Sequence, residues 1–224
     1  MRFLKEMKQS QKMLRSNKFK IIGALILWVV LCVSTFKLFI YLIDTKTQNS
    51  FSEALAEKVV VNNKIDFDKL LKENNDVIAW IYIENTPINY PVLQSNDNMY
   101  YLNKMVNGYY NQCGSIFADY RNSSDFSDNN TIIYGHNMKN GSMFGSLLDF
   151  DYESHCKAFL FTSDKTFEIR FLKGLTIENT DEVYNFKNFE FMDQNSKYIT
   201  LSTCINEIKN KRYILIGELI DEDV

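Results

Sequence analysis

Three short segments carry residue types that could perform covalent chemistry together. His136 follows an apolar segment that ends at Gly135, Cys204 closes the segment 200–204, and Arg212 opens the next apolar segment eight residues later. Two neighbouring strands joined by a turn would bring Cys204 close to Arg212. A thiolate is a nucleophile, an imidazole transfers protons, and a fixed cation stabilises a developing oxyanion. The three residues therefore predict acyl transfer through a thioester.

Each of the three residues also has an ordinary structural explanation when it is taken alone. A single Cys is most often a small buried apolar residue, and a single His is often a hydrogen-bonded core or surface residue. An Arg at a strand end is usually a solvated charge. Their combination in one chain favours the catalytic interpretation.

The elements that must position these residues are short strands. Alternating or short apolar runs predict eight of them: Ile78–Glu84, Ile88–Leu93, Ser115–Ala118, Thr131–Tyr134, Ala158–Phe161, Thr166–Leu172, Tyr198–Thr203 and Tyr213–Ile220. In the clearest hairpin, a turn at 163–165 precedes Phe167 and Ile169 facing inward, with Glu168 and Arg170 facing outward. Eight strands without regular intervening helices predict a mainly β fold, a closed or nearly closed antiparallel barrel.

Short helices are predicted ahead of the barrel. Phe51, Leu55 and Val59 recur at helical spacing, after a polar stretch at 44–52 that reads as a stalk. Asp66 is placed to cap a second short helix that begins at Phe67.

Charge and hydropathy divide the chain before these elements begin. Residues 1–20 carry seven basic residues and one acidic residue, whereas residues 44–224 carry 17 basic and 27 acidic residues. Between them, Ile21–Ile43 contains only one charge, Lys37. A helix over this segment is about 34 Å long, enough for a hydrocarbon core of roughly 30 Å. A cleaved signal peptide and a buried helix are the alternatives, and no small-residue cleavage site follows Ile43.

The charge pattern also predicts topology and excludes one class of partner. The basic N-terminus should stay in the cytoplasm, which places the body outside the cell in a type II, single-pass membrane protein. A body with a net charge of −10 lacks the basic surface that nucleic-acid binding requires. The predicted domains are a cytoplasmic tail (1–20), a membrane anchor (21–43), a stalk with the N-terminal helix (44–64) and an extracellular catalytic domain (65–224).

Cysteine number points to an unpaired thiol outside the cell. Cys32 lies in the apolar segment, which leaves Cys113, Cys156 and Cys204 in the exported body. Three thiols can form one disulfide within the chain at most, so at least one stays free.

The chemistry-bearing segments resemble the sortases, cell-surface transpeptidases of Gram-positive bacteria, and class B in particular. The resemblance rests on TLSTC at 200–204, YGHNMKNGSMFGSL at 134–147 and Arg212 at the start of the next strand. DVIAWIYIENTPINYPVLQ at 76–94, YYLN at 100–103 and GSIFAD at 114–119 also look like class B segments. The similarity spans about residues 65–224.

The resemblance implies a closed eight-stranded β-barrel with an N-terminal helical extension, and no required metal or other cofactor. Cys204 would attack the Thr carbonyl of a C-terminal sorting signal, His136 would transfer protons, and Arg212 would hold the oxyanion or the substrate backbone. The residues at the positions of Asn89, Leu93 and Ser202 would line the signal groove. For Asn89 and Leu93 the alternatives are a turn polar group and a core residue. The partners implied are secreted proteins bearing the signal and a peptidoglycan amine, and we expect a monomer.

Two departures from class B place signal specificity in question. Many members have an acidic residue directly after the Cys, where this chain has Ile205. The segment of roughly Glu178–Ser196 is also short beside the usual helix-bearing loop. An NPQTN-like or an [SP]PxTG-like signal, and a glycine bridge or a diaminopimelate side chain as acceptor, all remain open.

Rival interpretations are weaker. Gln112–Ser115 faintly resembles a papain-type nucleophile segment, but the spacing from Cys113 to either His is far too short. Adjacent His155 and Cys156 lack companion ligands for a zinc site. A non-catalytic, membrane-tethered binding module on the same barrel is the alternative function, and the intact His136, Cys204 and Arg212 disfavour it.

Overall fold

The structure is a computed structural model that describes residues 2–61, 64–154, 156–178, 191–193, 195–205 and 210–222. For 2–6 and 8–17 only the backbone is described. The chain divides into two compact units, Met1–Asp44 and Thr45–Val224.

The first unit consists of the N-terminal part of helix α1 (Arg2–Val59). Within the described residues, one helical stretch, Lys18–Val59, is long and apolar enough to cross a membrane. Its large apolar side chains, such as Leu27 and Phe36, are exposed. Exposing so much contiguous apolar surface to water is unfavourable, so this helix is consistent with the predicted membrane anchor.

The last turns of α1 belong to the second unit, where the sequence predicted a polar stalk at 44–52. That stretch is helical, and its Gln48 and Ser52 are 2% and 8% exposed. Gln48 Nε2 donates a hydrogen bond to Ser52 Oγ over 3.2 Å. Leu55 and Val59 follow on the same side and are buried, at 4% and 0% exposure. The polar composition of 44–52 thus suggested a stalk, whereas the structure shows a helix whose polar residues Gln48 and Ser52 are buried.

A second helix, α2 (Phe67–Glu73), forms as its sequence predicts. The Asp66 side chain accepts a hydrogen bond from the Lys69 backbone N–H over 3.0 Å and so caps the first turn. Its buried Leu70 joins Leu55, Val59 and Trp80 in one hydrophobic cluster. This cluster attaches the helices to the strands that carry Trp80 and its neighbours.

Ten strands are described, two of them in a small hairpin and eight in the barrel. The hairpin pairs β1 (Val60–Val61) with β2 (Lys64–Ile65). The barrel strands are β3 (Val77–Ile83), β4 (Asn89–Leu93), β5 (Ile116–Ala118), β6 (Asn130–Tyr134), β7 (Ala158–Phe161), β8 (Thr166–Glu178), β9 (Lys197–Cys204) and β10 (Lys211–Asp221). Two 3₁₀ turns, Tyr100–Asn103 and Gly145–Leu148, lie in the connections.

The barrel closes in the order β10-β8-β7-β3-β4-β5-β6-β9, with β9 pairing back onto β10. The predicted closed eight-stranded barrel is confirmed, but its expected antiparallel character holds for six of the eight pairings. β4 pairs with β5 and β6 pairs with β9 in parallel. Parallel neighbours need long crossover connections, and the segments 94–115 and 135–196 supply them.

Candidate active site

Strand register places Cys204 directly opposite Arg212 across β9 and β10. The Ile205 N–H donates to the Lys211 carbonyl over 3.2 Å, which makes 205/211 a hydrogen-bonded pair. The adjacent pair, Cys204 and Arg212, is therefore of the non-hydrogen-bonded type, in which Cα atoms lie only about 4.5 Å apart. Directly opposed side chains lie on the same face of a sheet. The thiol and the guanidinium thus share one face at the end of β9, and Cys204 is exposed.

The end of β6 brings His136 to the same strand end. Tyr134 on β6 is level with Ser202 on parallel β9, and the Gly135 N–H donates to the Ser202 carbonyl over 3.2 Å. Thr203 Oγ1 returns a hydrogen bond to the Gly135 carbonyl at 2.8 Å. These two hydrogen bonds hold the backbone that precedes His136 beside the backbone that precedes Cys204.

Asn137 ties the histidine segment to the cysteine directly. Its side-chain Nδ2 donates to the Cys204 carbonyl over 2.9 Å. His136, between Gly135 and Asn137, is therefore flanked on both sides by hydrogen bonds to the end of β9. The backbone segments that carry the three sequence-predicted residues, His136, Cys204 and Arg212, therefore meet at this end of β9.

A carbonyl acceptor fixes the histidine ring. His136 Nε2 lies 2.8 Å from the Leu102 carbonyl oxygen, and a carbonyl only accepts, so Nε2 carries the hydrogen. Leu102 sits in the 3₁₀ turn 100–103, against which Gly114 packs with φ +60°. A Cβ on Gly114 would lie 2.4 Å from the Leu102 carbonyl oxygen, so only glycine lets the two backbones approach.

Glycine is also required beside the histidine. A Cβ at Gly135 would lie 2.5 Å from Ile116 Cδ1 and 2.7 Å from the ring of Phe144. Phe144 is fully buried and Ile116 almost so, and neither can withdraw easily. The backbone of Gly135 therefore runs close over the core immediately before His136.

Arg212 rests on an aromatic ring that is itself anchored. The guanidinium carbon lies 5.5 Å from the centroid of the Tyr134 ring, within cation–π distance. The Tyr134 hydroxyl donates to Asp119 Oδ2 over 2.9 Å. Asp119 is fully buried, and its carboxylate also accepts from Arg121 Nε over 2.9 Å and from Asn98. Tyr134, Asp119 and Asn137 are functional candidates that the sequence alone did not single out, although all three lie in segments that carry the family resemblance.

The three predicted signal-groove residues occupy different environments. Ser202 is 1% exposed, and its Oγ has no hydrogen-bond partner among the described residues. Asn89 accepts a hydrogen bond from Trp80 Nε1 over 2.7 Å, which orients its amide. Leu93 is fully buried in the hydrophobic cluster that contains Trp80, so a direct substrate contact would require it to become exposed.

The remaining cysteines differ from Cys204 in exposure. Cys113 is fully buried, and Cys156 is half-buried, with burial first and Glu84 second raising the pKa of its thiol. His155 lies outside the described residues, as does most of the 178–196 segment. No group of three or more metal-ligating side chains occurs within the part of the chain that the structure describes.

An exposed thiol opposite a guanidinium and beside a histidine segment, at the end of a barrel strand, can carry out acyl transfer through a thioester, which is the chemistry of the cysteine transpeptidases. A family model described as Sortase domain matches residues 81–220. The chain is 37% identical over 180 residues to Sortase B of Listeria monocytogenes, covering 67% of this chain and 72% of that protein. The chain therefore belongs to the sortase family, and it is a cysteine transpeptidase of class B type.

Solved structures agree with this assignment. Sortase B of Bacillus anthracis in complex with AAEK1 superposes with a TM-score of 0.68 at 26% identity, over 81% of this chain and 100% of that chain. A Staphylococcus aureus sortase B–substrate complex gives a TM-score of 0.68 at 25% identity, with the same coverage of both chains. The apolar N-terminal helix is consistent with the membrane anchor of such an enzyme.

Proposed function

We propose that this enzyme cleaves a C-terminal sorting signal after Thr and transfers the protein to a peptidoglycan amine, with Cys204 as nucleophile. The Cys204 thiolate attacks the Thr carbonyl carbon, and the peptide C–N bond breaks to leave a thioester. His136 donates a proton to the departing amine nitrogen. In the second half, the acceptor amine attacks the thioester, its proton passes to His136, the C–S bond breaks and the thiolate is restored. The observation that carries this proposal is the pairing of exposed Cys204 with Arg212 beside the His136 segment.

The hydrogen bond to Leu102 assigns the two nitrogens of His136 different tasks. Because Nε2–H donates to the Leu102 carbonyl in either protonation state, Nδ1 is the nitrogen that gains and loses the catalytic proton. The same bond keeps the ring from rotating, which preserves its geometry between the two halves of the reaction.

Arg212 supplies the charge for the oxyanion. It stands opposite Cys204 on the same face, and the Tyr134 ring beneath it restricts where the guanidinium can point. A preorganised donor of this kind stabilises charge that develops only in the tetrahedral intermediate, so removal typically costs about 10²–10³ in kcat.

The signal is proposed to lie along the face that carries Ser202 and Cys204, two residues apart on β9. The buried Ser202 hydroxyl, which has no hydrogen-bond partner among the residues that the structure describes, can bond to the backbone of an extended peptide. Asn89 and Leu93 remain candidates for the same groove. The substrate complex of the Staphylococcus aureus relative supports a substrate site on this fold.

The cellular arrangement completes the proposal. The anchor is placed across the cell membrane with the basic N-terminus in the cytoplasm and the catalytic domain outside, where secreted substrates and peptidoglycan are found. No cofactor is needed for the reaction, since the thiol, imidazole and guanidinium supply all the groups that it uses.

The test is cleavage of a fluorogenic peptide library containing NPQTN-like and [SP]PxTG-like signals by the full-length protein in detergent. Wild type should cleave at least one signal after Thr, and Cys204→Ala should lose turnover while its circular dichroism is unchanged. Cys113→Ser is the matched control, because that thiol is fully buried whereas the Cys204 thiol is exposed. Equal turnover by Cys204→Ala, or loss only in Cys113→Ser, would disprove the assignment.

A further inference from the structure

A groove of about 770 Å³ opens beside the active site, and no step described so far uses it. It lies between the β3–β4 turn and the segment 137–156. We name it the end groove and define it by six of its lining residues: Asn85, Thr86, Asn137, Ser146, Asp149 and Asp151. Its volume falls within the roughly 300–1,000 Å³ of small-molecule sites.

Asn137 joins the end groove to the reacting thiol. The residue lines the groove, follows His136 in the chain, and donates its side-chain hydrogen bond to the Cys204 carbonyl. Tyr134, Ser202 and Arg212, on the face proposed for the signal, do not line it, and His136 and Cys204 adjoin it only through Asn137. A molecule in the end groove would therefore reach the thioester from a different side than the signal.

The charged and polar groups of the end groove suit a cationic amine. Asp149 and Asp151 line it with exposed carboxylates, and Lys139 is the one basic residue of the described lining. Ser146 Oγ is shielded from solvent and has no hydrogen-bond partner among the described residues. Asp151 uses one oxygen to accept the Glu153 N–H over 3.2 Å, which leaves its second oxygen available. The lining thus offers acceptors and net negative charge.

We propose that the end groove binds the acceptor amine of the transpeptidation, in its ammonium form and together with the adjoining peptide. This inference rests on the proposed function. The carboxylates attract the ammonium, which loses one proton to water to free its lone pair. The neutral nitrogen then attacks the thioester carbonyl, and its second proton passes to His136 as the C–S bond breaks.

The test measures aminolysis and hydrolysis of the acyl-enzyme separately, with triglycine as the cationic probe. In Asp149→Asn/Asp151→Asn, the KM for triglycine should rise by about 3- to 10-fold, the range expected for one or two solvent-exposed ion pairs. Peptide hydrolysis without acceptor should stay within about twofold of wild type, since the signal binds elsewhere. Raising the salt concentration should shrink the difference.

Two controls make the result specific. Hydroxylamine is a small nucleophile that is uncharged at neutral pH, so its KM should not change in the double variant. Asp164→Asn makes the same carboxylate-to-amide change in the β7–β8 turn at the opposite end of β7, and it should leave the triglycine KM unaltered.

Cys156 gives a readout that does not depend on the signal. Its thiol lines the end groove, so triglycine should slow its modification by a methanethiosulfonate reagent, as followed by peptide mass spectrometry at pH 9.

An unchanged triglycine KM in the double variant, a raised KM for the signal peptide instead, or unprotected Cys156 would each overturn the inference. Failure of wild type to cleave any signal would instead refute the proposed function.

Discussion

Replacing Tyr134 tests whether Arg212 depends on the ring beneath it. The ring centroid lies 5.5 Å from the Arg212 guanidinium carbon, and the hydroxyl is hydrogen-bonded to buried Asp119. Tyr134→Leu removes both interactions, whereas Tyr134→Phe keeps the ring and removes only the hydroxyl. The pair of variants therefore separates the effect on catalysis from the effect on stability.

The structure sets the expected size of each effect. A cation–π contact at a partly exposed site contributes about 0.5–2 kcal/mol. If this energy holds Arg212 in place for the oxyanion, Tyr134→Leu should lower kcat/KM by about 2- to 30-fold, at 1.36 kcal/mol per tenfold. Tyr134→Phe should stay within about twofold of wild type in kcat/KM. It should nevertheless lose about 1.5–3 kcal/mol of unfolding free energy, because its bond to a carboxylate is gone.

The assay is peptide cleavage in a double-mutant cycle with Arg212→Ala, combined with urea unfolding. Once Arg212 is absent, Tyr134→Leu should cost no further activity, since the two residues act through one contact. Equal losses in Tyr134→Phe and Tyr134→Leu would refute the reasoning, as would an additive loss in the Arg212→Ala background.

Three further changes test other parts of the structure. Gly135→Ala should lower kcat by about 10- to 100-fold, because its Cβ collides with Phe144 and displaces the adjacent histidine. A hydrogen bond from Arg170, and a weaker effect of one from Ser196, lower the pKa of Glu218 below its ordinary 4.5. The ionised Glu218 therefore stabilises the fold above pH 4.5, and this stabilisation is lost as the pH falls through the lowered pKa. Glu218→Gln should flatten the fall in Tm between about pH 5 and pH 3. A chain beginning at residue 45 should fold and cleave the signal peptide. A chain beginning at residue 60 should lose about 3–6 kcal/mol of unfolding free energy, because it lacks the buried side chains of Leu55 and Val59.

Each of these changes has an informative control. Combining Gly135→Ala with Phe144→Leu and Ile116→Val should recover part of kcat, and wild-type kcat in Gly135→Ala alone would contradict the packing argument. Glu168→Gln changes an exposed carboxylate on the neighbouring strand and should leave the acid limb of Tm unchanged. A residue-60 chain as stable as the residue-45 chain would show that α1 contributes nothing to the barrel.

The strands were predictable because their alternation is local. All eight predicted strands occur, but β8 runs on to Glu178, six residues beyond its predicted end. After Leu172 the alternation is interrupted at Lys173 and Gly174, although Leu175 and Ile177 resume it, and pairing with β10 carries the strand across the interruption. The parallel pairing of β6 with β9 could not be predicted from the sequence either, because hydrophobic periodicity carries no information about strand order.

Residues whose contacts form only in the folded chain were harder to interpret than residues in short sequence motifs. Asp119 and Tyr134 are 15 positions apart and meet only because β5 and β6 pair. The 44–52 stretch reads as polar linker, yet tertiary burial of Gln48 and Ser52 holds it in a helix. For Leu93 the sequence left core and groove equally open; the structure buries it beside Trp80, and its place in the signal groove stays a prediction.

The closed strand order has a consequence for how the chain folds. Cys204 and Arg212 meet in a local hairpin, but Asn137 and Cys204 are 67 positions apart and meet only when β9 docks on β6. Closing so long a loop is slow compared with forming a hairpin. A chain in which β9 has not yet paired with β6 therefore lacks the hydrogen bond between Asn137 and Cys204, and on the proposed mechanism it should gain turnover only once that pairing has formed.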